Sequence, residues 1–161
     1  VYPAGLKQGK SSKQNNFDEG SKLSHWLARK SLGILPVDLE EFMNSSQNAI
    51  LKGIKKQITN VANKELNYQS DKFLDLVGRF NGKYVIGEVK FISDFGKYQN
   101  AQFNHTITNL EMQNANATKI AILDGVLYIK GNNKMYKDVT SKYAEMNILS
   151  ALVLREFLYQ I

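Results

Sequence analysis

Phe73-Leu-Asp-Leu-Val-Gly-Arg-Phe-Asn-Gly-Lys-Tyr-Val-Ile-Gly-Glu-Val-Lys-Phe91 sets Asn81-Gly82 between two runs rich in Val, Ile, Leu, Phe and Tyr. That arrangement predicts a β-hairpin, because both central residues of a type I′ turn need φ > 0. A two-residue loop pairs Phe80 with Lys83 and fixes every pair beyond it: Arg79 with Tyr84, Val77 with Ile86, Asp75 with Glu88. The register therefore sets two carboxylates opposite each other, with Cβ atoms roughly 4.5–5.5 Å apart. Side chains alternate along a strand, so Lys90 shares the face of Glu88 one pleat further on. Like charges opposed across a ladder destabilise it. A divalent cation between the acids would remove that repulsion, and magnesium is typically bound by one or two carboxylates with substrate phosphate completing the shell. Asp71 is a weaker rival to Asp75, since the register sets it opposite Ile92, roughly 13 Å back along the strand.

Asp75, a spacer of twelve residues, and then Glu88-Val89-Lys90 resembles the active-site signature of the PD-(D/E)xK nucleases, most of all the type II restriction endonucleases. The resemblance covers about residues 65–130 as helix, hairpin, helix and strand, and Leu74 stands where the family's name has proline. It implies an α/β (α+β) fold with a restriction-endonuclease-like core, a central mixed β-sheet whose catalytic antiparallel hairpin is flanked by helices. It also implies that Asp75, Glu88 and the main-chain carbonyl of Val89 hold Mg2+, one or two ions, with Mn2+ expected to substitute. Lys90 would orient the attacking water and offset charge in the transition state. Nucleases of this class often supply a further acid from the helix before the hairpin, which makes Glu65 an additional candidate ligand; a frayed helix end in solvent is the bland alternative.

The function expected on this resemblance is Mg2+-dependent endonucleolytic cleavage of double-stranded DNA, in a site-specific restriction role in the bacterial cytoplasm. Cutting both strands calls for a homodimer on a palindromic or nearly palindromic site. A repair nuclease or junction resolvase with the same core remains an alternative, as does a non-catalytic DNA-binding domain.

The whole chain is compatible with this reading. At 161 residues it is read as a single nuclease domain, 1–161, long enough to bury a core without staples. Cysteine is absent, which excludes disulfides and thiolate metal sites. No apolar run approaches the ~20 residues of a membrane span, and no signal-peptide pattern opens the chain. The first residue is Val1 rather than Met, which leaves open processing or a missing recognition region. Lys and Arg number 21 against 15 Asp and Glu, a net charge of +6. Such a surplus is what binding to a phosphate backbone requires.

Residues 1–16 read as a mobile basic arm, with Lys10 and Lys13 as DNA-tracking candidates. Residues 17–66 read as helical: Asp18 to Leu32 with Leu23, Trp26 and Leu27 inward, a run opened by Pro36 with Leu39, Phe42 and Met43 inward, and a stripe Ile50, Ile54, Ile58, Val61 leading to Glu65. Lys52, Lys55 and Lys56 fall on what reads as a solvated face. Residues 71–130 read as the catalytic sheet core. After Lys90, the loop residues Ser93, Asp94, Lys97 and Tyr98 are candidate DNA contacts. They are joined by the following helix, from about Gln99, with Asn100, Gln102, Asn104 and His105. Asn and Gln amides can bond two edges of adenine at once. Asn is a poor choice for a merely polar helix surface. Thr118 to Leu123 reads as a central strand, Asp124-Gly125 as a turn into a strand over Val126 to Lys130, and residues 139–160 as one helix.

Overall fold

The computed structural model describes residues 22–161, so the arm carrying Lys10 and Lys13 lies outside the described residues, as does the expected start of the first helix. Helix α1 is described over residues 22–28. It is followed by α2 (Leu39–Asn44), β1 (Ala49–Ile50), α3 (Lys55–Glu65), β2 (Leu76–Phe80), β3 (Lys83–Ile92), α4 (Lys97–Glu111), β4 (Thr118–Gly125), α5 (Lys134–Thr140), β5 (Ile148–Leu149) and α6 (Ala151–Gln160). No described helix is long and apolar enough to cross a membrane.

The hairpin β2–β3 forms as its turn requires. Asn81 and Gly82 both take positive φ, 52° and 75°, and the pairs Phe80–Lys83, Arg79–Tyr84 and Val77–Ile86 are those the loop fixes. Strand order in the five-stranded sheet is β1-β2-β3-β4-β5. β1–β2 and β2–β3 are antiparallel, while β3–β4 and β4–β5 are parallel. The sheet is therefore mixed and flanked by helices, an α/β fold consistent with a restriction-endonuclease-like core.

Alternation of side chains along β2 and β3 gives the sheet two buried faces. On one, Leu76, Phe80, Val85, Ile120 and Ile122 pack with Leu23 and Leu27 of α1 and Leu154 and Leu158 of α6. On the other, Val77 and Ile86 meet Ile58 and Ala62 of α3, and Ile92, Ala121 and Leu123 meet Phe103 and Ile107 of α4. Asp75, Glu88 and Lys90 belong by parity to this second face, towards the end of β3 that lies away from the turn.

Several sequence expectations are corrected. The Ile50–Val61 stripe is not one helix: Ile50 pairs in β1 with Gly78, Gly53 breaks the chain at φ 154°, and α3 begins only at Lys55. Pro36 does not open a helix, since Val37 bridges Leu51 and the Asp38 side chain caps α2 by accepting from the Glu41 N–H at 2.9 Å. Only Phe42 of α2 is buried, with Leu39 and Met43 left exposed. Val126 to Lys130 is not a strand, because β4 runs on to Gly125 and a 3-10 turn follows at Val126–Tyr128. Residues 139–160 are not one helix: β5 intervenes and Ser150 caps α6 by accepting from the Leu152 N–H.

Candidate active site

Asp75 stands one residue before β2. The ladder holds as far as Leu76–Gly87, and then slips: the Asp75 N–H donates to the Gly87 carbonyl at 2.9 Å. The direct Asp75–Glu88 ladder pair expected from the turn is thus corrected. The Asp75 carboxylate instead reaches across to β3, where Oδ2 accepts from the Val89 N–H at 2.8 Å. A charge-assisted bond of this kind is among the stronger ones, and it fixes the orientation of the Asp75 carboxylate. The N–H and C=O of one strand residue point to the same side, so the Val89 carbonyl also lies on Asp75's side of β3.

Glu88 is buried, 9% exposed, and its Oε1 accepts from the Nδ2 of Asn109 on α4. The same amide lies 3.4 Å from the Tyr68 hydroxyl. Burial pushes the Glu88 carboxyl above the ordinary glutamate range; Lys90 and Asn109 pull against that, Asp75's charge adds to it, and Lys72 again opposes it. Asp75, Glu88 and Lys90 open on one cleft of about 730 Å³, whose walls include Lys55, Lys56, Lys72, Gln102 and His105. The cleft is open at the surface.

The remaining sequence candidates divide. Gln102 and His105 line the cleft. Ser93, Asp94, Lys97, Tyr98 and Asn104 are exposed and Gln99 is half-buried. The Asp94 carboxylate accepts from the Gly96 N–H at 2.7 Å and from the Ser93 hydroxyl at 3.3 Å, a local turn. Asn100 folds its amide back on the Phe95 and Gly96 carbonyls at 2.7 and 3.0 Å. Glu65, the additional ligand candidate, falls outside the cleft. It is exposed at the end of α3, 3.8 Å from Lys64; the helix turns Ile58, Thr59 and Ala62 inward instead.

Sequence reading missed three residues. Lys55, assigned to a solvated face, holds its ammonium 2.6 Å from Asp75 Oδ1. Asn109, a further amide of α4, is buried against Glu88. Lys119 donates to the Asn109 carbonyl, the Met112 carbonyl at 3.0 Å and Asn114 Oδ1 at 2.7 Å. It thereby caps the negative end of α4, and burial holds its ammonium pKa below the usual lysine value. Repetition of amides gave no sign of which one turns inward.

The donor set suits a hard divalent cation. Two carboxylates, Asp75 and Glu88, line the cleft, and Asp75 Oδ1 is buried with no hydrogen-bond donor apart from the nearby ammonium. No cluster of three or more His, Asp or Glu that could hold a metal exists among the described residues.

A mixed sheet carrying an acid, an acid and a lysine beside a basic cleft is the core of a PD-(D/E)xK nuclease. The family model described as "Tsp45I type II restriction enzyme" matches residues 4–161, nearly the whole chain, and the chain belongs to that family. It is a type II restriction endonuclease, a site-specific endodeoxyribonuclease acting on DNA. A search of curated proteins found no match, nor did a search of solved structures.

Proposed function

We propose that Asp75, Glu88 and Lys90 form the hydrolytic centre of this restriction enzyme, and that it cleaves duplex DNA with Mg2+, which Mn2+ can replace. The observation that carries this reading is the shared cleft: both carboxylates and Lys90 open into it, and Lys55, Lys56 and Lys72 line it with them. Asp75, Glu88 and the Val89 carbonyl would hold the ion, which when bound polarises the scissile phosphate and stabilises the leaving oxyanion. Asp75 is oriented for this by the Val89 N–H, and Glu88 by the Asn109 amide. Lys90 orients the attacking water and offsets charge growing on the phosphate. Lys56 and Lys72 contact the backbone, while Gln102 and His105 are placed to touch the substrate from α4. Cleavage of both strands requires a second copy related by a two-fold axis, so the active form is a homodimer on DNA.

Plasmid cleavage with Mg2+ tests the assignment. Asp75→Asn and Lys90→Ala are expected to lower the single-turnover rate by roughly 10²–10³ or more, while duplex binding in Ca2+ is retained. Cleavage at wild-type rates by both variants sinks the assignment. Sedimentation of the enzyme on a duplex containing its site checks the dimer.

A further inference from the structure

The first turn of α3 is built against its own dipole. A helix N-terminus favours anions and disfavours cations, yet Lys55 and Lys56 open α3, its first turn carries no acid, and its N-cap Ile54 offers no polar side chain. A residue placed against local preference commonly marks a functional site. The compensation is Asp75, whose Oδ1 lies 2.6 Å from the Lys55 ammonium. The Asp75 side chain is 3% exposed and that of Lys55 31%, so the acid is fixed within the wall while the lysine reaches it from the cleft. Oδ2 is already committed to the Val89 N–H. The ammonium therefore covers the one Asp75 oxygen that remains for a metal.

We propose that Lys55 is an exchangeable counter-cation: its ammonium neutralises Asp75 Oδ1 in the metal-free enzyme, yields that oxygen to the divalent ion, and then binds a DNA phosphate in the cleft. This rests on reading Asp75 as a metal ligand. An ammonium and a dication on the same carboxylate oxygen would repel each other at close range, so metal entry favours release of Lys55 from Asp75 Oδ1. The stem of Lys55 is anchored beside Lys56 and Lys72 on the cleft wall, where a phosphate is the anion the released ammonium meets. Coupling of this kind is reciprocal: metal strengthens DNA binding by freeing a cation, and DNA strengthens metal binding by drawing that cation away.

The test compares wild type with Lys55→Met, Lys55→Gln, Lys55→Arg and Asp75→Asn, using the full chain and the Mn2+ ion alone, without DNA. Free Mn2+ is followed by electron paramagnetic resonance, and urea midpoints confirm that each variant is folded. Loss of the competing ammonium is expected to tighten Mn2+ binding at least fivefold in Lys55→Met and Lys55→Gln, with Lys55→Arg close to wild type. Binding of linear plasmid DNA should weaken severalfold in the two neutral variants when Ca2+ is present, and change little when it is absent. If the neutral variants bind Mn2+ no more tightly than wild type while Asp75→Asn loses the ion, the exchange is overturned and the nuclease centre stands. If Asp75→Asn binds Mn2+ as wild type does, Asp75 is not a ligand and both readings fall.

Discussion

Glu88 combines a cost to the fold with a place in the proposed metal site. Its carboxyl is held above the ordinary range chiefly because it is buried, so the folded protein binds a proton there more readily than the unfolded chain does. Below the ordinary glutamate pKa both states are protonated and no penalty exists. As pH rises through the raised value the folded state must carry a poorly solvated charge, and stability is lost. Glu88→Gln is therefore expected to raise Tm at about pH 8, with the gain shrinking towards about pH 4, where even an unperturbed glutamate is half protonated. Thermal unfolding at the two pH values checks this, and an equal difference at both would contradict it. For the proposed metal site the sign is the same: protonation of Glu88 competes with the ion, so the Mg2+ concentration needed for half-maximal cleavage should climb as pH falls, earlier than for an ordinary carboxylate.

Among the elements, the hairpin owes its form to its own turn, whereas the edge strands owe theirs to their neighbours. Asn81-Gly82 imposes the register by itself, because few residue pairs accept two successive positive φ values. β1 and β5 have two residues each, too few to show a period, and their apolar residues fit a helical stripe equally well. Ile50 becomes a strand residue because β2 offers an unpaired edge, and the chain then breaks at Gly53. The end of β4 turns on Gly125, at φ 109°, where an added Cβ would lie 2.1 Å from the Ile92 carbonyl oxygen. Gly125→Ala must either prise β4 from β3 or twist the turn that follows. We expect a loss above about 3 kcal/mol, in the range of severe single substitutions. A urea midpoint close to wild type would show that the turn tolerates a side chain.

On the scale of the whole molecule, the net charge of +6 gathers in part around the cleft through Lys55, Lys56, Lys72 and Lys90. Duplex binding should therefore weaken steeply with salt. Removing one phosphate partner, by Lys56→Ala or by Lys72→Ala, is expected to reduce the log–log salt slope by about 0.9. Titrations at several salt concentrations in Ca2+ measure it, and an unchanged slope would place the DNA elsewhere. The amino-acid sequence by itself determined the hairpin, its register as far as Leu76–Gly87, and the common face of Asp75, Glu88 and Lys90. These follow from local rules, a turn that only certain residues accept and a two-residue alternation. Tertiary structure alone decided that Asp75 leaves the ladder for the Val89 N–H, that Lys55 meets it, that Asn109 turns inward to Glu88, and that Glu65 does not. Each of those contacts joins different elements, and their geometry depends on how α3 and α4 lie on the sheet, which periodicity within either helix does not encode.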